Sequence, residues 1–217
     1  CKLPRDPLIV PITPGGKNQG WAMSVDQECK PGMYCPYACA PGYYSRQWNP
    51  QSTLKKNTMD GGLICKSDGS LTKPFPSQPY CVRGLANVSI VNKLGKSVSA
   101  CQTVYPGNEE MLIPTVVAPG GKSVINVLPT SYWQKTSAQY YVNPAGTNAN
   151  QCRWGKSSVP TGNWAPFVFG AGQGMGGITF ISVRYNPDYE RAGHSTAKAY
   201  GVRIECDDPS KCNGLPC

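Results

Sequence analysis

The sequence predicts an all-β fold: a disulfide-rich antiparallel β-sandwich with long loops and little helix. Three observations carry this. The 217 residues include 24 Gly, 21 Pro and 11 Cys, and only 15% are charged, a composition of short strands and turns rather than of long surface helices. Apolar runs after residue 81 are short and partly alternating, and each stops at a Gly or Pro turn signal. No segment sustains apolar residues at three- and four-residue spacing over several turns, so any helix is brief.

Taken in order, the chain reads as one domain in four parts: a Pro-rich arm (1–28), a cysteine-rich loop region (29–81), a β-sandwich core (82–205) and a cysteine-containing tail (206–217). Pro4, Pro7, Pro11 and Pro14 exclude helix interiors and central strands from the arm. Leu8-Ile9-Val10 fits along a sheet edge, and Cys1 needs a partner to stop the end fraying. From Cys29 to Cys65 four cysteines are interleaved with Pro, Gly, Tyr and Trp. Such a segment buries too little apolar surface to order itself, so covalent staples give it a shape. Lys73–Pro79 is a second Pro-rich loop. Strands are then expected over Val82–Val91, Ser97–Tyr105, Met111–Val117, Ser123–Leu128, Gln139–Val142, Phe167–Phe169, Ile178–Tyr185 and Ala199–Glu205. The Gly-rich run Gly170–Gly177 lacks a following Lys-Ser/Thr and reads as a turned sheet connection, not a phosphate loop.

Eleven cysteines favour an oxidising compartment and a secreted protein. Cys29, Cys35, Cys39, Cys65, Cys81, Cys101, Cys152, Cys206, Cys212 and Cys217 are the candidate cystine residues, their connectivity open, and the odd count leaves one thiol over. No apolar run approaches a membrane span and no signal peptide is visible, so the expectation is a mature soluble product. Asn87-Val88-Ser89 is the one glycosylation sequon. The net charge of +9 is scattered, with Lys55-Lys56 its one adjacent pair, which argues against nucleic acid and fits attraction to an acidic wall polymer.

The spacing Cys29-x5-Cys35-x3-Cys39-x25-Cys65 resembles the signature of the fungal SUN family of secreted cell-wall proteins. Further blocks resemble that family in the same order: Cys35-Pro36-Tyr37-Ala38-Cys39, Gly61-Gly62-Leu63-Ile64-Cys65, Tyr105-Pro106-Gly107 with Ile113-Pro114, Thr136–Pro144, Cys152-Arg153-Trp154-Gly155 and Gly162-Asn163-Trp164-Ala165-Pro166. The resemblance implies wall remodelling and septation, a β-glucosidase or β-1,3-glucanase activity, and a thaumatin-like β-sandwich. It assigns no catalytic residue, and the arm and the cysteine tail depart from its pattern.

Candidate chemistry follows from exclusions. The cysteine gaps are not the CxxC pairs of a zinc site, His194 lies in a turn-like stretch with no Gly-x-Ser-x-Gly elbow elsewhere, and neither a metal nor a cofactor is expected. A glycosidase needs two carboxyl groups about 5–9.5 Å apart, and the chain has twelve. Glu109 lies after Tyr105-Pro106-Gly107, Glu205 at an expected strand end, and Asp26 and Asp60 flank the cysteine-rich segment. The catalytic candidates are Glu109 paired with Glu205 or Asp26. Sugar rings stack on aromatic faces, which nominates Tyr43, Tyr44, Trp48, Trp133, Tyr141 and Trp164 as substrate-binding; Trp48, within Arg46-Gln47-Trp48-Asn49-Pro50, is expected to be exposed. Hydrolysis of β-1,3-glucan is the leading reading; a non-catalytic glucan-binding or structural wall protein is the alternative. No membrane or nucleic-acid partner is expected, and oligomeric state is open.

Overall fold

The computed structural model describes residues 1–54, 59–103 and 105–215. Lys55-Lys56, Val104 within the expected strand Ser97–Tyr105, and the candidate cystine residue Cys217 lie outside these ranges. Among the described residues the protein is all-β, its ladders antiparallel, with one helix of a single turn and several isolated 3-10 turns.

The first part is built from very short strands: β1 (Ile9–Val10), β2 (Tyr34–Cys35), β3 (Ala38–Cys39), β4 (Tyr43–Ser45), β5 (Leu63–Cys65), β6 (Leu71–Thr72) and β7 (Cys81–Arg83). They form the ladders β1–β3, β4–β7 and β2–β5–β6, too small to stand alone. Three cystines lock them: Cys1–Cys65, Cys29–Cys35 and Cys39–Cys81. Around the sulfurs pack Ile9, Trp21, Met23, Tyr37 and Leu63. Gly62 has φ +87°, and a Cβ there would lie 1.8 Å from the Cys35 carbonyl oxygen, so only glycine lets β5 enter its ladder.

The second part holds β8 (Ser89–Val91), β9 (Val98–Thr103), β10 (Ile113–Val117), β11 (Lys122–Val124), β12 (Ala138–Val142), β13 (Phe167–Gln173), β14 (Thr179–Tyr185) and the helix α1 (Pro187–Arg191). β8 pairs with β11, and the remaining five strands form one sheet in the order β10-β9-β12-β13-β14. Alternation sends Ala138, Tyr140 and Val142 of β12 inward with Phe167, Phe169 and Ala171 of β13. β9 is buried on both faces: Val98 and Ala100 join that core, while Cys101 meets Cys152, Leu112 and Tyr141 on the opposite side. The two parts meet across an aromatic cluster of Tyr44, Trp48, Met59, Leu128, Tyr132 and Trp133.

Several expected elements differ. Val82–Val91 is not one strand but two: the chain turns at Gly84, where a Cβ would lie 2.4 Å from Asn126 Oδ1, and at Ala86 with φ 55°. Ala199–Glu205 forms no ladder. Tyr200 and Val202 pack on the core while Gly201 and Arg203 are exposed, so the alternation there reports one-sided burial without a hydrogen-bonding partner. The Gly-rich run supplies the end of β13 as well as the turn into β14, because Gly170 and Gly172 leave room for Ser182 and Phe180 above them.

Candidate functional site

Three segments meet to form an open cleft of about 740 Å³. The arm supplies Lys17, Met23 and the loop Asp26-Gln27-Glu28; the cysteine-rich part supplies Lys30, Met33, Tyr34, Met59 and Asp60; the loop after β9 supplies Asn108. The local reasons for this meeting are specific. Gly61 packs against the backbone of Pro106 and Gly107, where a Cβ would come within 2.5 Å of the Pro106 carbonyl oxygen. The Met59 amide donates to the Gly107 carbonyl at 3.1 Å. These contacts bring Asp60 and Asn108 to the same cleft. Asn108, itself buried, donates from Nδ2 to Gln27 Oε1 at 2.6 Å, and Gln27 Oε1 also accepts from the Ser24 amide at 3.0 Å, which ties the Asp26 loop to the opposite wall.

The cleft carries three carboxylates, two ammonium groups and a floor of methionine and tyrosine. Glu28 pairs with Lys30 at 3.5 Å, both largely exposed, so the pair contributes little to stability. Asp60 is half-buried and accepts from Asn49 Nδ2 at 3.3 Å. The Tyr34 phenol is pushed up, first by burial and then by the Asp60 charge. Such a mixture can bond sugar hydroxyls and face C–H surfaces, and it holds more than one group able to exchange protons.

Of the expected catalytic residues, Asp26 lines the cleft and Glu109 follows its Asn108, with its charge felt by Tyr105 and Tyr141. Glu205 is elsewhere. It is paired with Arg203 and, at 3.5 Å, with Lys93, and these cations hold its carboxyl below the usual range. The sequence pattern does not single out Asp60, Glu28, Tyr34 or Asn108 as catalytic; its nearest signal is Asp60 flanking the cysteine-rich segment.

The aromatic expectations need correction at Trp48. It is 8% exposed, set edge-on to Phe75 and Tyr132 at 5.0 and 5.2 Å, with the Arg46 guanidinium 4.9 Å from its ring. Its polar neighbour Gln47 points inward: Nε2 donates to the carbonyls of Phe75, Gln78 and Pro79 at 3.0–3.2 Å, and Oε1 accepts from the Phe75 amide at 2.9 Å. Polar sequence neighbours therefore did not mean exposure. Tyr44 and Trp133 are core residues too, Trp133 donating to the Ser52 carbonyl at 3.1 Å. Tyr43, Tyr141 and Trp164 are half-buried, Trp164 bonding the Gly155 carbonyl. None of the six lines the acidic cleft.

The cystines Cys101–Cys152 and Cys206–Cys212 bring the total to five among the described residues. The sulfurs of Cys1, Cys29 and Cys65 lie within 4.8 Å of one another, but each belongs to a cystine and offers no thiolate. Among the described residues no helix is long and apolar enough to cross a membrane.

Fold and site together define a cystine-stapled, all-β protein with a carboxylate-lined surface cleft. The chain belongs to the SUN family: the family described as "Beta-glucosidase (SUN family)" matches residues 1–217. It is 47% identical to the "Probable secreted beta-glucosidase adg3" of Schizosaccharomyces pombe, over all of this chain and 20% of that protein. An uncharacterized protein of Saccharomyces cerevisiae is 43% identical over all of this chain and 63% of its own length. The "Probable secreted beta-glucosidase UTH1" of Saccharomyces cerevisiae is 40% identical over 90% of this chain and 55% of its own length. The chain thus spans less than two thirds of each of these relatives. No solved structure matches it.

Proposed function

We propose that this chain is a secreted glycoside hydrolase of the fungal cell wall, acting on β-1,3-glucan, with Asp26 and Asp60 as its carboxyl pair. The observation that carries the reading is the convergence of Asp26, Glu28 and Asp60 on one open cleft. One carboxyl protonates the departing glycosidic oxygen, and the other attacks the anomeric carbon or activates water against it. Gln27, Asn108, Lys17 and Lys30 bond sugar hydroxyls, and Tyr34 and the methionines meet the C–H faces. The relatives named as probable secreted β-glucosidases support the reaction class. The non-catalytic alternative leans on exposed aromatics, and the burial of Tyr44, Trp48 and Trp133 weakens it.

The test is product analysis on defined β-1,3- and β-1,6-linked oligosaccharides. Asp26→Asn and Asp60→Asn should each slow release of reducing ends by about 10²–10⁴-fold, while Glu205→Gln leaves it unchanged. Loss with Glu109→Gln but not Asp60→Asn would move the pair to Asp26 and Glu109. Retention of glucan without turnover would establish the binding alternative instead.

A further inference from the structure

Asn87-Val88-Ser89 runs from the loop after β7 into the first residue of β8, with Asn87 exposed. Its Nδ2 donates at 2.7 Å to Oγ1 of Thr179, the first residue of β14. β14 is the last strand of the five-stranded sheet: β13 pairs with it from Thr179 to Tyr185, and no described strand takes its other edge. This corner is markedly apolar. Met175 is 84% exposed, Ile178 70%, Phe180 47% and Ile181 37%. Natural edges are blunted by lysine, proline, bulges or short length, yet Thr-Phe-Ile-Ser-Val-Arg-Tyr has seven paired residues with no proline and one charge. Antiparallel pairing with a second copy about its midpoint, Ser182, would set Phe180 opposite Arg184 rather than Arg184 opposite itself. Nothing within the strand opposes edge-to-edge association.

We propose that Asn87 carries an N-linked glycan and that this glycan covers the open edge of β14. A secreted, cystine-rich chain meets the co-reactant, a lipid-diphosphate-linked oligosaccharide, on its route. Nδ2 attacks C1 of the first N-acetylglucosamine; the N–C1 bond forms, the C1–O bond breaks, the lipid diphosphate leaves with the electron pair, and one amide proton passes to a base. The nitrogen keeps its second hydrogen, which still serves Thr179. The modified side chain therefore stays tied to β14, with the sugar beside Ile178 and beside Ile181, which shares a face with Thr179. The glycan's bulk and hydroxyls then replace an aggregation-prone edge with a hydrated one.

The experiment uses protein secreted from a fungal host. Intact mass before and after peptide N-glycosidase, with peptide mapping, should place a glycan on Asn87. Enzymatic deglycosylation of the folded protein, and separately Ser89→Ala, which keeps Asn87 and its bond to Thr179, should raise binding of an apolar dye. Both should convert monomer to dimer or larger species on size exclusion as concentration rises, and adding Ile181→Lys to Ser89→Ala should restore the monomer. An unmodified Asn87 in the secreted protein overturns the proposal. So does a modified Asn87 whose deglycosylation changes neither dye binding nor oligomeric state.

Discussion

At the residue scale, Gln47 sets the character of the cysteine-rich part more than any of its aromatics. It is 1% exposed, and one side-chain amide satisfies four backbone groups of the Pro-rich loop between Phe75 and Pro79. A loop with that many prolines cannot pair as a strand, so its carbonyls need a side-chain donor. Gln47→Ala leaves these partly buried groups unmet, and the expected loss is about 1–3 kcal/mol, read as a lower denaturant midpoint with unchanged slope. An unshifted midpoint would remove Gln47 from this role. Trp48 sits on the platform that Gln47 organises, which is why a tryptophan among polar neighbours became core. Its environment was illegible because sequence records which residues are polar, not whether their partners lie nearby in the fold.

At the element scale, strands of two or three residues in the first part depend on cystines rather than on ladders. In the loop-entropy account, a cross-link stabilises more as the loop it closes lengthens. Cys39–Cys81 spans 42 residues and Cys29–Cys35 spans 6. Replacing the former pair by alanine should cost about 4 kcal/mol and the latter about 2 kcal/mol, measured by chemical unfolding of the two double variants. Equal losses would show that local packing, not chain entropy, dominates. The strands of the large sheet were legible where alternation ran beside turn signals, as in β9, β12 and β14. Ala199–Glu205 was not, because an extended segment over a core carries the same alternation whether or not a neighbour bonds it.

At the scale of the whole molecule, tyrosine is the titrating residue that matters most. Burial pushes the phenols of Tyr37, Tyr132, Tyr140 and Tyr200 well above the usual tyrosine range, Tyr140 while it donates to the Asn126 carbonyl at 2.8 Å. A folded-state pKa raised above the unfolded value gives stability that is complete below the unfolded value, about 10, and is lost as pH rises through the folded one. Stability should therefore hold through neutral pH and fall steeply in the alkaline range, with phenolate absorbance of these residues appearing together with unfolding. Their titration in the folded protein near the ordinary value would contradict that burial.

The sequence by itself determined the class: all-β, cystine-dependent, with the spacing of Cys29, Cys35, Cys39 and Cys65 carrying the family. Composition, turn residues and cysteine spacing are local properties and can be read along the chain. The cleft was decided only by tertiary structure. Asp26, Asp60 and Asn108 come from three distant segments, and they meet because Gly61 admits the Pro106–Gly107 backbone and Gln27 bonds Asn108 across the gap. A close approach of two backbones and one amide-to-amide bond leave no periodic trace, so no reading of order or spacing could have placed Asp60 in the cleft and Glu205 outside it.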